Sequence, residues 1–317
     1  MKWTKNAKFV KKNKGRPIVC GTDFSDVASE AVDIAAAMTR QLGTKLVLVH
    51  VEEFCGVAAV DPTLFDSAVS QSRGKLDRTV RRLRALGTDV DANFLSGSAF
   101  DQLVAATTEA KARLIVVGAV GHGLARRLLV GSVAERTAET SPIPTLVVRP
   151  GGRVTSWIRG KHALKILVGY DFSGASDAAL DWVSQLRQIG KLQTTVLYSS
   201  WPPDHARRLG YEGPLRLTAD AKKIQKNLER DLEKRIAKYL PKQKVTAIVE
   251  AGSGTPEGYL FEMASRQKVD LIVVGTHQRH GVGRVLLGSV SRAVLHHAKV
   301  AVAVVPPTEP AVRKQRT

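Results

Sequence analysis

The sequence predicts a doubly wound, parallel-sheet α/β architecture that is built twice in one chain. Three observations carry this expectation. Short apolar runs alternate with helical patterns. A set of words recurs in the same order in both halves. A glycine-punctuated segment follows the fourth strand-like run of each half. The recurring words are Val19–Ser25 against Leu167–Ser173, Leu114–Gly118 against Leu271–Gly275, and Gly131–Val133 against Gly288–Val290. Each half closes on an apolar strand and a proline, Thr145–Pro150 and Val300–Pro306. Ordered repetition of this kind marks a duplication. The expected division is a basic N-terminal tail over 1–15, a first domain over 16–150, a linker over 151–162, a second domain over 163–307 and a basic C-terminal tail over 308–317.

The elements follow in order. Ile18–Gly21 reads as a short buried strand. Ser25 opens a helix as its N-cap, because its hydroxyl oxygen accepts an otherwise unpaired backbone N–H. Val27, Ala31, Ile34, Ala35, Met38 and Leu42, spaced by three and four, form its apolar stripe, and Gly43 ends it. Leu46–Val51 is the second strand. Pro62 starts a long helix that runs to about Leu86. Asp89–Leu95 is a strand, Ala99–Ala110 a helix, Leu114–Val117 a strand, Ser132–Glu139 a helix and Thr145–Val148 the last strand. The second half repeats this order, and its long helix carries Ile224, Leu228, Leu232, Ile236 and Leu240 as a core stripe bounded by Pro241. Gly151 and Gly152 punctuate the junction, and the linker is polar and basic apart from Trp157 and Ile158.

Composition narrows the class. With 317 residues, 44% of them hydrophobic and 24% charged, the chain has an ordinary globular balance. No apolar run approaches the roughly 18–20 residues of a membrane helix, and no apolar stretch or small-residue cleavage site follows the Lys-rich start, so a secretory signal is not expected. Two cysteines, Cys20 and Cys55, are too few for a disulfide framework, which points to a reducing, cytoplasmic setting. The net charge of +19 invites polyanions, with a general solubility feature as the plainer explanation.

Ligands of such sheets bind beyond the strand C-termini, where strand order reverses. Asp23, His50–Val51 and Gly118 stand at these positions. Gly118 begins a G-x2-G-x9-G-S pattern through Gly121, Gly131 and Ser132. Glycines let the backbone come close to a ligand, and a helix opening at Gly131–Ser132–Val133 turns free N–H groups and a positive dipole end toward an anion. Arg126 and Arg127 add charge within the loop. A glycine-rich connection with a serine N-cap is the plain alternative. The chain has no GxxxxGK[ST] and no GxGxxG after the first strand.

With Asp23–Phe24–Ser25, Val49–His50–Val51, the spaced glycines and Pro142–Val148, the chain resembles the universal stress protein family in its tandem form. The resemblance covers nearly everything outside the tails. It implies five strands per domain in the order 3-2-1-4-5, the adenine nucleotide alpha hydrolase-like arrangement. It also implies an ATP-binding first domain, with ADP or AMP as alternatives and Mg2+ or Mn2+ carried on the phosphates. Val51 would meet adenine through its backbone. Gly21, Thr22 and Asp23 would line the adenine and ribose end, and Gly118 would approach the ribose. Gly121, His122, Arg127, Gly131, Ser132 and Val133 would surround the phosphates. The last strands of the two halves are expected side by side, so that one chain imitates a dimer and leaves room for a further homodimer.

The second half departs from this pattern. Gln278 stands where the second glycine would be, and Tyr198–Ser199 replaces His50–Val51. Tyr170, Asp171, Ser199, Gly275, Gln278, Arg284, Gly288, Ser289 and Val290 outline a second candidate site, which either binds with altered specificity or serves as scaffold. His277 and His280 sit in the same loop. No side-chain metal site and no dedicated catalytic constellation can be argued from spacing. The expected function is a nucleotide-responsive stress module read by a protein partner. A polyanion-binding scaffold acting through the basic tails, or a weak ATPase, are the alternatives.

Overall fold

The computed structural model describes residues 15–53, 62–121, 130–200, 219–251, 254–278 and 285–308. In the first half the order is β1 (Ile18–Gly21), α1 (Asp26–Leu42), β2 (Leu46–Glu52), α2 (Pro62–Ala85), β3 (Val90–Ser96), α3 (Ala99–Glu109), β4 (Leu114–Gly118), α4 (Ser132–Thr140) and β5 (Thr145–Val148). A short helix α5 (Val154–Ile158) joins the halves. The second half comprises β6 (Leu164–Tyr170), α6 (Gly174–Leu186), β7 (Leu192–Ser200), α7 (Ala219–Tyr239), β8 (Val245–Ala251), α8 (Pro256–Gln267) and β9 (Leu271–Gly275). It is completed by the two-residue strands β10 (His277–Gln278) and β11 (Val285–Leu286), then α9 (Ser289–His297) and β12 (Ala301–Val305).

Ten strands form one sheet in the order β3-β2-β1-β4-β5-β12-β9-β6-β7-β8. Each half contributes the expected 3-2-1-4-5 arrangement, parallel throughout. The halves meet where β12 runs antiparallel to β5, with Val302 opposite Val147, Ala303 opposite Leu146 and Val304 opposite Thr145. The central strands β1, β4, β5, β9 and β12 are apolar on both sides because helices cover both faces. Ile18, Cys20, Leu46 and Leu48 point into the layer formed with α1, α2, α5, α6 and α7, a cluster that runs unbroken across both halves. Val19, Val47, Val49, Ile115 and Val117 point into the layer with α3, α4, α8 and α9.

Local signals behave as their chemistry dictates. The Ser25 hydroxyl accepts from Ala28 N at 3.2 Å, and Gly43 adopts a left-handed φ of 59° where α1 stops. Within the expected stripe of α1, Ala31, Ile34, Ala35 and Met38 are buried, whereas Val27 and Leu42 are half-buried. The stripe Ile224, Leu228, Leu232, Ile236 and Leu240 is buried along α7.

Two local features were not foreseen. The junction holds α5 rather than a plain polar connection. Trp157, 1% exposed, donates from Nε1 to the Lys191 carbonyl at 2.9 Å and packs so closely on Gly190 that a Cβ there would lie 2.6 Å from it. The second is the antiparallel pairing of His277 with Leu286 and Gln278 with Val285, inside the glycine-punctuated segment of the second half.

Polar contacts reinforce the seam between the halves. Arg149, at the end of β5 and 3% exposed, donates to the carbonyls of Leu295 at 2.7 Å and His296 at 3.4 Å, at the C-terminal end of α9 where a cation suits the helix dipole. Arg292 of α9 donates to Glu139 of α4 at 2.6 Å, and His296 Nε2 lies 2.8 Å from Glu135 Oε1. Arg113 reaches the Gln185 side chain at 3.1 Å, and the Gly151 amide donates to Glu30 at 3.2 Å.

Candidate nucleotide site

In the first half the chain turns sharply after β1. Asp23 Oδ1 accepts from the Ser25 amide at 3.0 Å and from its hydroxyl at 2.6 Å, and the Phe24 amide donates to the Thr22 hydroxyl at 3.1 Å. Between these contacts Phe24 takes φ 65°, a left-handed conformation that is strained for a bulky side chain and recurs at functional turns. His50 braces it. The two rings lie 4.4 Å apart, and His50 Nδ1 is 2.8 Å from the Thr22 carbonyl. A carbonyl only accepts, so Nδ1 carries the proton. His50 Nε2 lies 3.3 Å from Glu52 Oε2.

This turn forms one wall of a cavity of about 550 Å3 at the C-terminal ends of β1, β2 and β4. Gly21, Thr22, Asp23, Val51, Gly118, Gly121, Gly131, Ser132 and Val133 all line it, so the sequence-predicted residues in the described part of the first half come together. His122 and Arg127 lie outside the described residues, as does Arg126.

The glycines of the signature have different physical reasons. A Cβ on Gly118 would lie 3.1 Å from the Ala28 amide nitrogen and 3.2 Å from Val27, so this glycine lets α1 cross β4 closely as well as lining the cavity. A Cβ on Gly121 would collide with Asp23 Oδ2. Gly131 is the N-cap of α4, with φ −72°, ψ 151° and no side-chain cap, which corrects the alternative of a serine N-cap. Its own amide donates to the Ala119 carbonyl at 2.7 Å, tying the start of α4 to the end of β4, while Ser132, Val133 and Ala134 open the helix along the cavity wall.

The two ends of the cavity differ in charge. Glu52 and Glu53 stand at the β2 end, where Glu53 Oε1 accepts from the Ala99 amide at 2.8 Å. The α4 end presents a helix N-terminus, with no carboxylate among the lining residues of that helix. The helix N-terminus therefore favours an anion and Glu52 and Glu53 disfavour one, while the Asp23 carboxylate beside Gly121 places a negative charge near the start of α4. Ser72 and Lys75, one turn apart on α2, also line the cavity, with Lys75 Nζ 5.8 Å from the Phe24 ring centroid. Sequence reasoning missed these two, because nothing in a long amphipathic helix tells which of its polar residues will overhang a distant loop.

In the second half the same turn recurs. Asp171 Oδ1 accepts from the Ser173 amide at 2.9 Å and Phe172 takes φ 63°. Tyr170, Asp171, Ser199, Gly275, Gly288, Ser289 and Val290 line a cavity of about 160 Å3, together with Pro256 and Leu260. Tyr170 donates its hydroxyl to Asp177 at 2.5 Å, and burial raises its pKa further above the ordinary phenol range. A Cβ on Gly275 would lie 2.6 Å from the Ala175 backbone, tighter than at Gly118. The Gln278 backbone belongs to β10, while its side chain and the whole of Arg284 and His280 lie outside the described residues.

Comparison with known proteins agrees with this arrangement. Residues 15–149 and 163–306 each match the profile of the Universal stress protein family. The universal stress protein Rv2005c of Mycobacterium tuberculosis is 27% identical over 305 residues, covering 93% of this chain and 98% of that protein. The universal stress protein MJ0531 of Methanocaldococcus jannaschii is 29% identical over 142 residues, 43% of this chain and 84% of that protein. Among solved structures, a universal stress protein from Archaeoglobus fulgidus superposes with a TM-score of 0.65 at 18% identity, over 93% of this chain and 100% of the other, a likeness of fold. Two profile matches in tandem, on two copies of one sheet order, establish that this chain belongs to the universal stress protein family.

Proposed function

We propose that the first half binds an adenine nucleotide, ATP or a related phosphate ester, and that the protein acts as a nucleotide-responsive stress module. The observation that carries this reading is the polarity of the 550 Å3 cavity. Its volume falls in the range of about 300–1,000 Å3 common for small-molecule sites. At one end a helix N-terminus without a side-chain cap and the glycines Gly121 and Gly131 suit phosphate oxygens. At the other, Val51 offers an extended backbone edge to a base. Among the described residues no group of three His, Cys, Asp or Glu forms a cation site, so a divalent ion would be carried by the phosphates. No helix among the described residues is long and apolar enough to cross a membrane.

The chemistry supports binding and ordering rather than turnover. Asp23 is engaged by Ser25 and His50 by Thr22, so both serve the turn that shapes the wall. The test is mass spectrometry of small molecules released on denaturing the purified protein. An adenine nucleotide at about one per chain is expected. Its absence, together with no binding of added ATP, ADP or AMP, would overturn the reading.

A further inference from the structure

We propose that the phosphate affinity of the first-half site is set from the second half, by His296 acting through Glu135. The inference rests on the nucleotide reading above. Glu135 lies in the first turn of α4, one residue beyond Ala134, the last residue of that helix to line the cavity. A carboxylate there suits the helix dipole when the site is empty, but it repels an anion arriving at the same N-terminus. The partner of Glu135 is not in its own domain. His296 of α9 places Nε2 2.8 Å from Glu135 Oε1, and both side chains are 29% exposed. When that imidazole is protonated the pair is an ion pair, and the field of Glu135 at the helix N-terminus is neutralised. When it is neutral, the carboxylate keeps its full charge.

The surroundings leave His296 as the variable member. Arg149, from the end of β5, donates to the His296 backbone carbonyl at 3.4 Å and is itself buried among α9 carbonyls. On its own helix, Arg292 is committed to Glu139 at 2.6 Å, and the His297 ring lies 6.3 Å away. His297 in turn meets Phe261 edge-on at 6.4 Å. Glu135 and Glu139 are thus held by one imidazole and one guanidinium, and an imidazole is the kind of group that can exchange its charge near neutral pH whereas a guanidinium keeps it. His296 is a positioning and affinity-setting residue, outside the cavity, contributed by the other half of the chain.

The experiment is titration of the full-length protein with a fluorescent adenine nucleotide at about pH 6 and about pH 8, the interval over which imidazoles change charge. The ligand's own protonation affects every variant alike, so the readout is the ratio between variants. Neutralising a first-turn carboxylate should change affinity about two- to fivefold. Wild type should gain that factor on acidification relative to His296→Gln. His296→Lys, which keeps a permanent cation, should hold the low-pH affinity at pH 8, and Glu135→Gln should bind tightly at both values. If His296→Gln follows the wild-type profile at both pH values while nucleotide still binds, the inference is overturned and the function stands. If wild type binds no adenine nucleotide at either pH, both are overturned.

Discussion

The two halves share a strand order, a strained aspartate turn and a helix opened by Gly-Ser, yet they enclose different spaces, about 550 Å3 against about 160 Å3. In the first half, Gly121 leaves room beside Asp23, and His50 and Val51 precede the last residue of the second strand. In the second, the Gln278 backbone pairs antiparallel with Val285, and Tyr198 packs edge-on against Phe172 with ring centroids 4.7 Å apart. The comparison teaches that one scaffold can frame spaces of quite different size. The turn, the crossing glycine and the helix opening persist because they also hold the fold, whereas the residues that keep the space open are free to change.

The comparison can be broken most sharply at the helix openings. Gly131→Asp sets a carboxylate at the N-cap of α4, and nucleotide affinity should fall at least about a hundredfold from the combined loss of space and added like charge. Gly288→Asp in the second half should leave nucleotide per chain unchanged. Equal loss in both variants, measured by calorimetric titration, would show that binding depends on both helix openings rather than on the first alone. Gly121→Ala should weaken binding about tenfold, because the new methyl must displace the Asp23 carboxylate. The reciprocal Gln278→Gly sharpens the contrast, and a second nucleotide per chain in that variant would identify this position as the gate of the second half.

The seam offers a further prediction, in stability. Arg149→Ala removes two hydrogen bonds from a buried guanidinium to the α9 carbonyls and should cost about 2–4 kcal/mol in denaturant unfolding. The smallest effect expected is chemical. Cys20 is fully buried in β1, and burial pushes its thiol well above the ordinary range, so a disulfide reagent should leave it unmodified until the protein unfolds.

Most of the fold was legible in the sequence. The strands of both halves announce themselves as apolar runs, and Ser25, Gly43 and Pro62 mark helix ends by local chemistry alone. That β5 and β12 lie side by side was likewise anticipated from the family resemblance, whereas their antiparallel sense was not. The lining of the first-half cavity was legible because its residues sit at strand ends and helix starts, where local pattern announces them. What escaped was tertiary. Ser72 and Lys75 reach the cavity only because α2 docks over the β1 turn, and Trp157 became a buried plug because Gly190 leaves a notch for it. The β10–β11 pairing has no alternation long enough to announce itself.

The clasp between α4 and α9 has a consequence for how such a chain evolves. Glu135 corresponds by repeat position to Arg292, and Glu139 to His296. Two identical copies meeting about a two-fold axis would have to set Glu135 against the other copy's Glu139, since an isologous contact matches each patch with its own twin. Joining the copies in one polypeptide lifts that demand for self-complementarity. Acid could gather on one side of the seam and base on the other, so that each half now fits its sibling better than it would fit itself.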